Sequence, residues 1–458
     1  MRKYDAIVIG TGQSGPSMAR RLVAAGKKVA VIERKFFGGT CVNTGCTPTK
    51  TLVASAYAAH LARRASDFGI AIDGAVRVDM KAVKTRKDNV AGLSRRGVER
   101  SLKTLDGCTV YQGHGRFVGP KTVQVGDVEL QADWIFINVG GRAAIPAIPG
   151  LSQVPYFTNS SMMDVDFVPP HLIVLGGSYI GLEFAQMYRR FGSEVTVIEA
   201  APRLLVREDE DVSRTVTEFL VEEDIAVHVA SNVTKVEKRG NGVSVKVESA
   251  GLISQVNGTH ILVAVGRRPN TDDLGLDKAG VVVDSRGFIE VDDRLQTNVS
   301  GVWAMGDCNG RGAFTHTSYN DFEIIAANIL DNDQRTVADR ITAYALYTDP
   351  PLGRVGMTET EVRQTGRPAL ISTMAMEDVS HAYEKGETKG FMKILVDRDS
   401  KLIVGASLLG LAGDEVVHSI LDLMYAGAPY TVLQRAMHIH PTVSEFIPTM
   451  MQDLKPLQ

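Results

Sequence analysis

A chain of 458 residues, 44% hydrophobic and 22% charged, is long enough for two to four domains whose cores need no covalent staples. Its 50 basic and 53 acidic residues leave a formal charge of −3, which speaks against a nucleic-acid or membrane-surface partner. No apolar run approaches the roughly 18–20 residues of a membrane-crossing helix, and four cysteines in so long a chain fit a reducing cytoplasm.

Residues 5–9 (Asp-Ala-Ile-Val-Ile) form a short apolar run that leads straight into a glycine turn, so they read as a first strand rather than a signal peptide. Gly10-Thr-Gly12-Gln-Ser-Gly15 follows, then a helical stretch to about Gly26 and a second strand, Lys28-Val-Ala-Val-Ile-Glu33. Strand, glycine turn, helix, strand and terminal acid make a dinucleotide-binding unit, with 23 positions from Gly10 to Glu33. Next come Cys41 and Cys46, with a helix expected to begin near Cys46. Residues 79–105 read as a long charged helix, 109–131 as a hairpin or meander, 133–139 as a strand ending at Gly140, and 145–150 as a linker.

The pattern then recurs. Leu172-Ile-Val-Leu leads into Gly176-Gly-Ser178-Tyr-Ile-Gly181, a helix, and Glu194-Val-Thr-Val-Ile-Glu199, again 23 positions from first glycine to acid. A single such motif is weak evidence, but two in full strand–helix–strand context at one spacing read as two nucleotide sites. Ser178 stands where the middle glycine is expected. His260-Ile-Leu-Val-Ala-Val repeats the strand-to-glycine ending at Gly266-Arg267-Arg-Pro-Asn270, and Gly301-Val-Trp-Ala-Met-Gly306-Asp307 follows. From about 340 the character changes. Strands near 389–397 and 402–409 and helices near 412–426 and 444–453 read as a separate α+β domain without a phosphate loop.

The cysteine pair admits several readings. A zinc site needs more ligands, and the isolated Cys108 and Cys308 do not complete one. Two unrelated core cysteines are the plain alternative. A disulfide requires an irregular backbone, because five residues of helix rise ~7.5 Å and a bridge tolerates ~7 Å between Cα atoms; Asn43, Thr44 and Gly45 permit that. A thiolate at Cys46 would face a helix N-terminus, with Lys50 one turn on. These features favour a redox dithiol.

The stretch Gly38-Gly39-Thr40-Cys41-Val-Asn-Thr-Gly-Cys46-Thr-Pro-Thr-Lys50 resembles the active-site disulfide of the class I flavoprotein disulfide reductases, in their mercuric-reductase-like and lipoamide-dehydrogenase-like branch. Both glycine motifs, Gly266-Arg-Arg-Pro-Asn270, Gly306-Asp307 and a C-terminal His-Pro extend the similarity over nearly the whole chain. The resemblance implies an α/β fold with two Rossmann-like domains, for FAD and NAD, plus a C-terminal α+β dimerisation domain. The boundaries expected are 1–147 and 266–338 for the two parts of the FAD domain, 148–265 for the NAD(P)H domain, and 339–458 for the interface domain.

It also implies residue roles. Cys46 would be the flavin-proximal, charge-transfer thiol and Cys41 the interchange thiol that meets the substrate. Glu33 would bind the adenosine ribose of FAD and Asp307 the ribityl chain. Lys50 and Glu183 match an ion pair beside the flavin, and Tyr179 an aromatic gate that swings aside for the nicotinamide. Gly10, Gly12, Gly15, Gly39, Thr40, Gly115, Gly140, Gly176, Gly181, Gly266 and Arg267 would also serve cofactor binding. Glu199 would accept ribose hydroxyls and repel a 2′-phosphate, favouring NADH, with NADPH as the alternative. In His438-Ile-His440-Pro-Thr-Val-Ser-Glu445 the proline places the acid–base role on His440, with Glu445 orienting it.

The function expected is electron transfer from NADH through flavin and the dithiol to a small disulfide or related electrophile, in a homodimer whose active sites are shared across subunits. Reduction of copper or mercury ions by the same dithiol, and lipoamide dehydrogenase, are the alternatives. The terminal stretch Met450-Met-Gln-Asp-Leu-Lys-Pro-Leu-Gln458 lacks a vicinal cysteine pair, and the retained His440 and Glu445 favour proton-coupled thiol chemistry over Hg(II) transfer.

Overall fold

The structure is a computed structural model that describes residues 1–457. Its first sheet has the order Cys108–Gln112, Val29–Glu33, Arg2–Ile9, Val128–Ile137, Thr122–Val125, Gly115–Gly119, with Val302–Ala304 paired beside Val128–Ile137. Val29–Glu33 is buried along its whole length, as its unbroken apolar run requires of a parallel strand covered on both faces. The helix Gly15–Ala24 packs on it, with a proline in its first turn where no amide is needed. The long charged helix is Met80–Lys103, and the Asp79 side chain caps it by accepting from the amides of Lys81 and Ala82 at 3.0 and 3.1 Å.

A second parallel sheet has the order Ile225–His228, Glu194–Ile198, His171–Leu175, His260–Val263. The helix Tyr179–Phe191 rises from its glycine turn with all but three residues buried. Beside it lies an antiparallel meander, Asn232–Arg239, Gly242–Ser249 and Leu252–Gly258. The chain leaves the first sheet through Gly141–Ala143 and returns through Arg267–Pro269, and these two segments pair antiparallel. Departure and return thus share one crossing.

The C-terminal part is a six-stranded sheet in the order Ala343–Leu346, Leu352–Gly356, Ile403–Leu409, Phe391–Asp397, Ala369–Ala375, Lys455–Pro456, with Gly413–Tyr425 packed on it. Lys393, 1% exposed, clamps it to the second unit through Asp209 at 3.1 Å and Asp211 at 2.8 Å, while Glu359 of the C-terminal part itself lies at 3.0 Å.

Three sequence expectations need correction. Cys108–Gln112 is not part of the meander; it runs parallel to Val29–Glu33 at the sheet edge. The expected strand 133–139 is the second half of one longer strand, Val128–Ile137. The expected helix 444–453 is only Phe446–Met450, because Pro448 is tolerated only in a first turn and the chain must then extend into the edge strand at Lys455. Among the described residues no helix is long and apolar enough to cross a membrane.

Candidate active site

The two glycine turns are the same device built twice. Gly10 has φ +101°, and a Cβ there would lie 2.2 Å from the Asn138 carbonyl oxygen; Gly176 has φ +110°, and its Cβ would lie 2.5 Å from that of Ala264. A Cβ at Gly15 would sit 2.3 Å from the Gly10 oxygen, and one at Gly181 would sit 2.0 Å from the Gly176 oxygen. Only glycine lets each helix close on its strand. Both helices, Gly15–Ala24 and Tyr179–Phe191, lack acidic residues in the first turn; the second keeps its N-terminal amides for a phosphate, whereas in the first Asn138 takes the Gly15 amide and Pro16 has none, which leaves Ser17.

The turns differ at their middles. A Cβ at Gly12 would meet Asn138 Oδ1 at 2.7 Å, whereas Ser178 has φ −109°, which any residue adopts. The glycine required in the second turn is Gly177, whose Cβ would meet Leu204 at 2.4 Å and Glu199 at 3.0 Å. Each turn also ends on its acid. Glu33 accepts from the Thr11 amide (3.1 Å), the Thr11 hydroxyl (2.6 Å) and the Lys35 amide (2.8 Å), and Glu199 from the Gly177 (2.6 Å) and Ala201 (2.7 Å) amides.

A single chamber of about 1980 Å³ is lined by both turns, both terminal acids and both cysteines. Gly39, Thr40, Lys50, Gly115, Gly140, Tyr179, Glu183, Gly266, Arg267 and Asp307 line it too. Arg267 lies 3.3 Å from Asp307 and donates to the Gly141 carbonyl at 2.7 Å, which holds both at the crossing. Gly15 and Gly181 stand behind the wall, where they serve the close packing of helix on strand. The glycine-lined cavity and buried terminal acid of the first turn fit FAD, and the second turn, with its open helix N-terminus, fits a nicotinamide dinucleotide.

The cysteines flank a break in the helix. Cys41 belongs to Gly39–Asn43, Gly45 takes φ −134° and ψ −121°, and the longer helix starts at Cys46 and runs to Arg63. Both are free thiols, Cys41 half-buried and Cys46 accessible. The hydrogen bond between them splits their acidities. It pulls Cys46 down to about 6, helped by the Thr315 hydroxyl 3.0 Å away and by the Lys50 charge, and it pushes Cys41 up well beyond the ordinary thiol range, with burial adding to the rise. At neutral pH Cys46 is a thiolate and Cys41 a thiol. Among the described residues no cluster of three or more His, Cys, Asp or Glu could hold a metal ion.

Lys50 is held by both Glu183 oxygens at 2.8 and 2.9 Å, and its ammonium lies 4.3 Å from the centre of the Tyr347 ring. His440 and Glu445 also meet, with Nδ1 2.9 Å from Oε2. This pair lies outside the chamber, and His440 is 75% exposed. Sequence reasoning missed Asn138, Thr315, Tyr347 and Gly177. A polar residue between a buried strand and a glycine turn is a signal for Asn138; Thr315 and Tyr347 carry none, because only tertiary contact brings them to Cys46 and Lys50.

The acidity split predicts the pH dependence of the reduced dithiol. Alkylation by iodoacetamide should rise through a midpoint near pH 6 as the Cys46 thiolate forms. Thr315→Val should move that midpoint to higher pH, and Cys46→Ser should remove it. Mass spectrometry of alkylated peptides across pH 4–10 checks this; an unchanged midpoint in Cys46→Ser would refute it.

Two family models match the chain: pyridine nucleotide-disulphide oxidoreductase over residues 4–321, and the dimerisation domain of that family over residues 342–451. The probable pyridine nucleotide-disulfide oxidoreductase RclA of Escherichia coli K12 is 35% identical, across 97% of this chain and 98% of its own. A mercuric reductase of Streptomyces lividans and a dihydrolipoyl dehydrogenase of Chlamydia muridarum are each 31% identical, across 96% of this chain and 94% and 95% of theirs. The solved structure of the HOCl-induced flavoprotein disulfide reductase RclA from E. coli superposes with a TM-score of 0.90 at 33% identity, covering 98% of this chain and 99% of that one. Its Cu(II) complex superposes at 0.89. The chain therefore belongs to the pyridine nucleotide-disulphide oxidoreductase family, as a flavoprotein disulfide reductase that uses FAD and NAD(P)H.

Proposed function

We propose that this enzyme reduces a small disulfide or related electrophile with electrons from NADH, and that Cys41 and Cys46 are the residues that deliver them. The placement of both thiols at a helix break, in one chamber with both glycine turns, carries this reading, and the lowered pKa of Cys46 agrees with it. Gly10, Gly12, Glu33, Gly39, Thr40, Gly115, Gly140, Gly266, Arg267 and Asp307 would hold FAD, which when bound carries an electron pair from NAD(P)H to the disulfide. Gly176 and Glu199 would hold the nicotinamide dinucleotide.

In the reduced enzyme Cys41 loses its proton to a base and attacks one sulfur of the substrate. The substrate S–S bond breaks, and the departing thiolate takes a proton. The Cys46 thiolate then attacks the Cys41 sulfur, forms the Cys41–Cys46 bond and expels the second thiolate, which is protonated in turn. Because the Cys41 thiol is pushed up and keeps its proton, a nearby base assists the step, and imidazole suits neutral pH. His440 with Glu445 is the candidate, reached across a homodimer. Its exposure, beside Met437 at 98% and Ile439 at 80%, fits a surface that a second copy covers.

Metal-ion reduction is the second reading, favoured by the Cu(II) complex of RclA and by the mercuric reductases among the relatives. Anaerobic reduction with NADH followed by reoxidation with lipoamide, glutathione disulfide, quinones, Cu(II) or Hg(II) separates the readings. Fast reoxidation by a disulfide is expected; reoxidation by a metal ion alone would overturn the proposal.

Nicotinamide choice follows from Glu199. Of the two arginines nearby, Arg203 is spent on the backbone oxygens of Val206 and Glu208 at 3.2 and 2.9 Å, which leaves only the exposed Arg207 to meet a 2′-phosphate. NADH should give the higher kcat/KM, and Glu199→Ala should narrow the gap. A higher value with NADPH in the unmodified enzyme would refute this.

Subunit sharing has its own test. His440→Ala should lower turnover by roughly 10²–10⁴, and Cys46→Ser should abolish it. A purified heterodimer of the two holds one intact site and should recover about half the activity of the unmodified dimer if the sites act independently. A heterodimer as inactive as its parents would mean that His440 acts within its own chain.

A further inference from the structure

One buried carboxylate lies behind the chamber wall and takes no part in the chemistry above. Glu208 has no exposed side-chain surface. Its Oε1 accepts two hydrogen bonds at once, from the Tyr179 hydroxyl at 2.7 Å and from the Tyr344 hydroxyl at 2.6 Å. Its Oε2 faces Arg354, 1% exposed, at 3.5 Å, an ion-pair distance too long for a good hydrogen bond. The Arg354 Nη1 donates instead to the carbonyls of Val355 and Ala406 at 3.1 and 2.9 Å. Tyr344 and Arg354 lie on the first two strands of the C-terminal sheet, while Tyr179 opens the helix of the second turn. Two parts of the fold therefore compete for one oxygen.

Tyr179 stands at a telling place. It directly follows Ser178, and one helical turn on Glu183 reaches Lys50, itself one turn from Cys46. Its ring lines the chamber and meets Tyr344 edge-on at 5.5 Å, with Phe314 stacked on Tyr344 at 5.3 Å. The resemblance implies that Tyr179 is the gate a nicotinamide ring moves aside, and its place on the chamber wall beside the second turn is consistent with that.

We propose that Glu208, Tyr344 and Arg354 form a latch that sets the position of Tyr179, with Tyr344 as the substitute donor that lets Tyr179 leave. A buried carboxylate stripped of its donors is costly, and bonds to a charged acceptor are stronger than neutral ones. When Tyr179 departs, the Tyr344 bond and the Arg354 charge keep Glu208 satisfied, so displacement costs only part of one hydrogen bond. All three are positioning residues, and the inference rests on the reading that Tyr179 faces the nicotinamide.

Two conservative variants move in opposite directions. Tyr344→Phe keeps the aromatic stack but makes Tyr179 the only phenol on Glu208, so displacing it becomes harder. Tyr179→Phe keeps the ring but removes the bond that must break. Calorimetric binding of NAD⁺ to the FAD-loaded protein should weaken roughly three- to tenfold in Tyr344→Phe and tighten by a similar factor in Tyr179→Phe. Binding of ADP-ribose, which fills the second turn without a nicotinamide ring, should be unchanged in both. Equal shifts for both ligands would mean a merely structural role and would overturn the latch, as would an unchanged NAD⁺ affinity in Tyr344→Phe. Tyr179→Ala separates the two levels. If it leaves the ratio of NAD⁺ to ADP-ribose affinity as in the unmodified protein, the reading of Tyr179 fails and takes the latch with it; if it moves that ratio while Tyr344→Phe does not, the latch alone fails.

Discussion

The ion pair between Lys50 and Glu183 organises the rest of the site. Glu183 is almost wholly buried, on the helix that rises from the second glycine turn, and Lys50 lies on the dithiol helix. A buried carboxylate without its partner costs several kcal/mol, about 3–5 where such pairs have been broken. The two helices must therefore dock at this point, and docking fixes the distance between the dithiol and the second cradle. The C-terminal part joins the same pair: the Tyr347 amide donates to Glu183 at 3.1 Å while its ring receives the Lys50 charge. One pair thus ties three segments and leaves a cation one turn from Cys46.

The duplicated turns show how one device serves two tasks. In each, a carbonyl from a neighbouring strand presses on the first glycine, and that glycine's own carbonyl presses on the last. The first turn adds the Asn138 side chain, which accepts from the Gly15 amide at 3.1 Å and donates to the Met305 carbonyl at 2.9 Å. That links the turn to the segment returning after the second unit. The second turn has no such link and is braced through its acidic loop, where Glu208 meets Arg354 and Asp209 and Asp211 meet Lys393. The first cradle is therefore tied within its own sheet, while the second depends on the C-terminal sheet for its position.

Local periodicity explains what could be read from the sequence. Both strand–glycine–helix units, the helix start at Cys46, the long helix at Met80–Lys103 and the strands Phe391–Asp397 and Ile403–Leu409 follow from patterns a few residues long. The meander Asn232–Gly258 was not legible, since two of its three strands are largely exposed and carry little apolar alternation. At the site, the dithiol and its lysine share one helix and could be read together. Thr315 and Tyr347 could not, because the contacts that give them a role span 269 residues for Thr315 and 164 for Tyr347 to Glu183. The need for glycine at position 177 arises in the same way, from the packing of Leu204 and Glu199 against it.

The acidity split sets a further requirement on the assembly. A thiol–thiolate pair joined by a hydrogen bond stabilises one negative charge at Cys46 and in doing so makes Cys41 a poor acid. A base that takes the proton from Cys41 lets the pair keep the Cys46 thiolate for the second step while Cys41 attacks in the first. Lys50 is held by Glu183 and lies on the Cys46 side, so it does not serve as that base. His316 also lines the chamber, with one imidazole nitrogen held against the Ala343 carbonyl at 2.6 Å and its ring stacked on Phe314. A histidine already oriented by a carboxylate, on an exposed surface flanked by uncovered apolar side chains, has the properties that the dithiol lacks. Under the proposed chemistry, the dithiol and the His440–Glu445 pair are two halves of one site, and the dimer is what joins them.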